Sequence, residues 1–244
     1  MLTLALRQDL IQRLRKALEA RPFVNAMWLE GADALGKVDA YSDLDLWLDV
    51  SAGQEEGTFQ VVGTVLQAFG SLDVAQERSH PDPLVQQRFY RSSGLPPFLF
   101  VDVCVQTQGR DVVFGPADAF LPLFDRAGVL RREASTLLNL GAEVRAILNQ
   151  RWRHLLVEKE LQREHLLEAL AYYHREVLEP LVHLLRLRYC PGKPGYGLKH
   201  ISTDLPADDL RRLEALYALT KPKELREGVR QVNRWLDQLT QEWP

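Results

Sequence analysis

Cysteine is scarce in this chain, with two in 244 residues: Cys104 inside an apolar run and Cys190 just before a proline. Two thiols build neither a disulfide framework nor a Cys-rich zinc site, and they fit a reducing, cytoplasmic location. Long hydrophobic runs are missing too. The apolar stretch Leu2 to Leu6 is cut short by Arg7 and Asp9, and no segment offers the roughly 18 apolar residues of a span. Neither a signal peptide nor a membrane span is expected. Charge of one sign is not in excess, 30 Lys+Arg standing against 33 Asp+Glu for a net charge of -3. A general electrostatic grip on long nucleic acid or an anionic membrane is therefore not supported. Internal repeats and low-complexity tracts are lacking, and a composition 46% hydrophobic and 26% charged is that of a globular chain with a sizeable core.

Hydrophobic periodicity divides the chain. Leu4, Leu10, Ile11, Leu14 and Leu18 recur at helical spacing and predict an amphipathic helix over 3–20. Phe23 to Leu29 has strand character. Residues 42–50 alternate acid with aliphatic, Asp43, Asp45 and Asp49 against Leu44, Leu46 and Leu48, which is the pattern of a half-buried strand. A helix over 57–69 and strands at 72–75, 84–90, 98–105 and 111–114 follow, punctuated by Gly and Pro. From about Glu133 the texture turns helical. The longest stretch without Gly or Pro runs from 142 to 179, and a Gly-rich loop, Cys190 to His200, precedes two more helices near 207–219 and 222–240. The expected fold class is α+β: a mixed sheet flanked by helices over 1–130, then an all-α bundle over 131–244. Split at residue 140, the halves carry net charges of -5 and +2.

The acids are concentrated. Residues 30–49 hold Glu30, Asp33, Asp39, Asp43, Asp45 and Asp49 against one base, Lys37. Period two sets Asp43 and Asp45 on one face of a strand, about 6.5–7 Å apart, within joint reach of a hard divalent cation such as Mg²⁺. An isolated Asp-x-Asp is more often the wet face of an edge strand. Two further features change that. Asp102 stands alone amid the apolar Phe98-Leu-Phe-Val-Asp-Val-Cys-Val105, where an unpaired charge is expensive. The strand ending at Leu29 runs into Gly31-Ala32, where the backbone can approach a phosphate closely. The histidines 154, 165, 174 and 183, spaced by eleven, nine and nine, cannot chelate one ion from a single helix. Trp152, Tyr172, Tyr173 and Tyr189 read as core or interface aromatics rather than a stacking platform.

The run Trp28-Leu-Glu-Gly-Ala-Asp-Ala-Leu-Gly-Lys-Val-Asp-Ala-Tyr-Ser-Asp-Leu-Asp-Leu-Trp47 resembles the signature of the polymerase-beta-like nucleotidyltransferase superfamily. That signature is a hydrophobic residue, Gly-Gly or Gly-Ser, about ten residues, then Asp-hydrophobic-Asp-hydrophobic. The likeness covers about 30–105 and includes Gly36, Asp39 and Ser42. It implies Asp43 and Asp45 as paired metal ligands of two Mg²⁺ ions, Asp102 as the third carboxylate, Gly31 as the phosphate-loop glycine, and Ala32 and Ser42 as its neighbours at the nucleotide. The family's serine is Ala32 here, which removes one side-chain hydrogen bond, on the order of 0.5–1.5 kcal/mol. The helical half is similar in layout to that of aminoglycoside adenylyltransferases, whose likeness implies a nucleotide and acceptor cleft. Lys193 and Lys199 are candidates to meet the triphosphate, and Lys37 reads as a solvent-facing lysine.

The resemblance implies transfer of AMP from ATP to a hydroxyl of a small, aminoglycoside-like molecule, by a monomer or homodimer with no nucleic-acid or membrane partner. Two alternatives stay open: transfer to a protein, as in toxin–antitoxin pairs, and a nucleotide-binding regulatory module without turnover. Which group acts as general base is also open.

Overall fold

A computed structural model describes residues 2–107, 112–115, 118–133 and 139–241. The chain forms two compact units, Met1–Ser135 and Thr136–Pro244. No described helix is long and apolar enough to cross a membrane.

The first unit opens with helix α1 (Leu2–Glu19), where Leu10, Leu14 and Leu18 fall one turn apart and are fully buried. Leu4, expected on that face, is exposed instead, and the charged Arg7 is buried. Then come β1 (Val24–Leu29), α2 (Gly31–Leu35), β2 (Leu44–Val50), α3 (Glu55–Gln67), β3 (Leu72–Ser79), β4 (Val85–Ser92), β5 (Val101–Thr107), β6 (Val112–Phe114), β7 (Leu121–Asp125) and β8 (Leu130–Arg132). Asp111, the first residue of the strand expected at 111–114, lies outside the described residues. β7 and β8 were not foreseen from the pattern.

Six strands form one mixed sheet in the order β3-β4-β5-β2-β1-β7. β2 and β5 are parallel, and the other neighbours antiparallel. β6 and β8 make a separate parallel pair. The alternation along β2 sorts the two faces. One face carries Leu44, Leu46, Leu48, Val101, Val103, Val105, Met27 and Leu29, and packs in a single cluster with Leu10, Leu14 and Leu18 of α1 and Phe59, Val62 and Leu66 of α3. Burying each such side chain is worth roughly 1.5–3 kcal/mol. The other face carries Asp45, Trp47, Asp49, Asp102, Cys104 and Gln106, so the acids stand on a sheet whose reverse side is dry.

The second unit is all helix: α4 (Leu140–Asn149), α5 (His154–Gln162), α6 (Leu166–Tyr172), α7 (Glu179–Tyr189), α8 (Ile201–Asp204), α9 (Ala207–Tyr217) and α10 (Pro222–Gln241). Tyr173, Leu181, Leu184, Leu185, Leu213, Leu216, Leu225 and Trp235 share its core. The stretch 142–179, free of Gly and Pro, is nonetheless broken twice. One break is a 3₁₀ turn at Arg151–Arg153, and the other a reversal at Glu164, whose φ is 62°. Buried Glu160 anchors that reversal by accepting from His165 Nδ1 at 3.0 Å and Arg163 at 3.1 Å. Between α6 and α7 the helix widens into a π segment, Tyr173–Leu178, just ahead of Pro180. A proline ring presses on the carbonyl four residues back, and the wider turn relieves that contact. Of the aromatics expected inside, Tyr173 is fully buried, whereas Trp152 is exposed.

Candidate active site

The parallel register aligns Asp45 of β2 with Asp102 of β5, and Trp47 with Cys104 one step further along. Aligned residues of a parallel pair share a face, so the two carboxylates are neighbours. The strand expected from residue 42 begins at Leu44, so Asp43 is the residue just ahead of it. Its charge still reaches the pair, since it is among the groups that shift Asp102.

Three environments distinguish the acids. Asp102 is held by Gln87 of β4, whose amide donates to both carboxylate oxygens at 2.8 and 2.9 Å. Loss of water raises its pKa, the Gln87 bond lowers it, the nearby charge of Asp43 raises it, and Arg78 and His80 lower it, with a net upward shift. Asp43 also lies above the usual carboxylate range. Loss of water around its carboxyl outweighs the Phe100 amide bond and the charge of Arg7. Asp45 packs against Gly31: a Cβ at Gly31 would overlap its carboxylate, and the φ of +59° independently favours glycine there. The first residue of the phosphate-loop motif is therefore glycine because an acid lies on it.

The rest of the motif is local architecture. Gly36 caps α2 in the left-handed conformation, with φ 65°. The Ser42 hydroxyl donates to Asp39 at 2.7 Å and accepts from the Asp39 amide at 2.9 Å, closing a turn that delivers the chain to β2. The Ser42 bond, followed by the Tyr41 amide, lowers the Asp39 pKa. Ala32 follows Gly31 in the first turn of α2, where no side chain caps the helix. Lys37 is exposed, as expected.

Four groups that the sequence did not single out belong here. Gln87 orients Asp102. Arg7 donates to Asp33 and to the backbone ahead of β2. His80 meets Trp47 edge-on at 5.7 Å, and Trp47 stacks on Trp28 at 5.8 Å. Cys104 lies 4.0 Å from Asp102, and burial together with the charges of Asp102, Glu30 and Asp45 pushes its thiol up. All depend on contacts between segments distant in the chain, for which a linear pattern has no signal.

Lys193 and Lys199 belong to the second unit. They bracket the Tyr196 ring at 5.6 and 5.7 Å, on a loop tied down by fully buried Arg186. Arg186 donates to the Gly197 carbonyl at 2.7 Å, to Asp204 at 2.8 Å and to the Lys199 carbonyl.

Over nearly its whole length the chain is similar to two solved structures. One is an aminoglycoside 6-adenyltransferase from Bacillus subtilis, at 12% identity and TM-score 0.38, covering 97% of this chain and 91% of that one. The other is a spectinomycin adenyltransferase from Enterococcus faecialis, solved with ATP and spectinomycin, at 11% identity and TM-score 0.34, covering 94% and 99%. These structural neighbours are small-molecule adenyltransferases. No family model and no curated protein matches the sequence. The functional reading rests on the site itself.

Whether the residues suit a metal is a question of donors and placement. The donors are hard carboxylate oxygens, the type that Mg²⁺ takes, and Asp43 and Asp102 bear upward-shifted pKa values that a cation would reverse. Among the described residues, no three Asp, Glu, His or Cys side chains are arranged to hold an ion as placed. The Asp102 carboxylate is turned to Gln87. The donor chemistry fits, and ligation calls for Asp102 to share its oxygens.

Proposed function

We propose that the chain is a metal-dependent nucleotidyltransferase that moves AMP from ATP to a hydroxyl of a small molecule, with an aminoglycoside-like compound as the acceptor type. The observation that carries this reading is the in-register pair Asp45–Asp102 on the polar face of the sheet, with Gly31 packed on Asp45. Paired carboxylates beside a close-approach glycine suit phosphoryl chemistry, where positioning and charge stabilisation do most of the work.

Asp43, Asp45 and Asp102 would hold the Mg²⁺ ions. Bound there, the cations would neutralise charge on the phosphoryl oxygens and lower the pKa of the acceptor hydroxyl. In the transfer, the acceptor oxygen bonds to the α-phosphorus, the bond from that phosphorus to the bridging oxygen breaks, and pyrophosphate leaves. Asp102 would accept the hydroxyl proton from within hydrogen-bond reach of the acceptor oxygen. Gln87 would keep its oxygens aimed. The backbone at Gly31 and Ala32, next to Ser42, would lie along the triphosphate, with Lys193 and Lys199 of the helical unit as further phosphate contacts. In this assignment residues 1–130 carry catalysis and 131–244 contribute to nucleotide and acceptor binding.

Incubation with Mg²⁺, labelled ATP and a panel of amino-sugar acceptors tests the proposal. Label in the acceptor with stoichiometric pyrophosphate is expected, and Asp43→Asn should lower the rate at least 100-fold while the fold is kept. An unchanged rate in that variant would remove the acids from the reaction. A second reading, nucleotide binding without turnover, draws on Ala32 and on the grip of Gln87 on Asp102. ATP binding with no pyrophosphate release would favour it.

A further inference from the structure

Arg7 is a charged residue on the first helix, and only 4% of it is exposed. Its guanidinium donates through Nε to Asp33 Oδ1 at 3.1 Å and through Nη2 to Asp33 Oδ2 at 2.5 Å. Nη1 donates to the Ser42 carbonyl at 2.8 Å, and Nη2 also reaches the Asp43 carbonyl at 2.5 Å. One side chain therefore joins α1, α2 and the two residues leading into β2. The Asp33 side chain is itself 9% exposed, so the pair is closed off from water.

What these bonds fix is specific. Asp33 lies two residues after Gly31, and Gly31 rests on the Asp45 carboxylate. Ser42 and Asp43 are the last residues before β2, and Asp45 is the second residue within it. Arg7 thus sets the distance between the Gly31–Ala32 backbone and the Asp43–Asp45 segment, the two parts that must meet a phosphate and its counter-ion. Both carbonyls flanking the first acid, those of Ser42 and Asp43, are held by this one guanidinium. The planar fork matters as well. A lysine ammonium offers three donors from one point and cannot span a carboxylate on one side and two carbonyls on the other.

We propose that Arg7, locked by Asp33, is the positioning residue of the transfer site, holding the glycine loop and the acid pair in reacting register. The inference rests on the nucleotidyltransferase reading above. Misplacement of reacting groups by about 1 Å costs on the order of 100-fold in rate. The effect should fall on kcat, because the groups that would touch the nucleotide are all still present.

The test uses the full chain as wild type, Arg7→Met, Arg7→Lys, Asp33→Asn and the Arg7→Met/Asp33→Asn double variant, with Asp45→Asn as control. Circular dichroism and melting report folding, Mn²⁺ electron paramagnetic resonance reports cation binding without turnover, and labelled ATP gives kcat and KM. Folded Arg7→Met and Asp33→Asn are expected to lose roughly 100-fold in kcat with a smaller change in KM for ATP, and to alter the Mn²⁺ signal. The double variant should lose no more than the worse single, as groups acting as one unit do. Arg7→Lys, the variant best able to fold, should not recover kcat. Wild-type kcat in folded Arg7→Met or Arg7→Lys, or additive losses in the double variant, would overturn the inference while the Asp45→Asn control still stands. An inactive wild type, or an Asp45→Asn variant as active as wild type, would instead sink the nucleotidyltransferase reading and the inference with it.

Discussion

Asp102 costs the fold stability at neutral pH. Its pKa is raised above that of an ordinary aspartate, first by loss of water. A raised acid binds its proton more tightly in the folded state, so stability falls as pH rises from the unfolded pKa through the folded one, and stays lower above it. Asp102→Asn removes that cost and keeps an oxygen for Gln87 to bond. It should raise the melting temperature by a few degrees, as about 1 kcal/mol does for a chain of this size, and should abolish transfer. A variant that melts lower would refute the account of the buried charge. Gln87→Leu tests the opposite direction. It removes the bond that lowers Asp102, so the acidic limb of the pH–rate profile should move to higher pH, and an unmoved limb would show that Asp102 does not titrate in the rate.

At the scale of elements, the loop from Cys190 to His200 depends on Arg186 of α7. The guanidinium is fully buried and bonds two loop carbonyls and Asp204. Removing one partner of such an ion pair leaves the rest unsatisfied, typically at about 3–5 kcal/mol. Arg186→Met should therefore melt markedly lower, whereas Lys199→Ala should melt like wild type and raise the KM for ATP roughly tenfold, the equivalent of one charge-assisted bond. Equal melting of the two variants would show that the loop does not need its anchor. The same elements show how much could be read from the linear pattern. The helical half, the strand around Asp45 and the apolar helix α1 were legible because each is written in local periodicity. Alternation runs that strand back to residue 42, whereas its ladder begins at Leu44, because alternation does not reveal where hydrogen bonding begins. The roles of Arg7 and Gln87 were not legible at all. Arg7 meets partners 26 to 36 positions away, and Gln87 meets Asp102 only because β4 lies beside β5. The reversal at Glu164 was hidden for a related reason: it is built by side-chain bonds to Glu160 and not by glycine or proline.

Over the whole molecule, the near-neutral total conceals a separation of charge, -5 over residues 1–140 and +2 after them. The structure shows which acids make up the local field. Asp33 is neutralised by Arg7, and Asp49 is buried between the amides of Asn25 and Gln106 at 2.8 and 2.9 Å. Asp45 and Asp102 stand in register on the polar face, with Asp43 close enough to raise the pKa of Asp102 and Arg78 close enough to lower it. A polycationic acceptor should be drawn to such a face, and attraction of this kind is screened by salt. The Debye length shrinks from about 10 Å at 0.1 M to about 3 Å at 1 M. Raising ionic strength from 0.05 to 0.5 M should therefore raise the KM of a multiply charged amino sugar several-fold and leave kcat nearly constant. For an uncharged polyol the KM should hardly move, because screening acts only on charge and the chemical step lies inside the site. Equal salt responses for the two acceptors would mean that the acids serve the reaction alone and do not select its substrate.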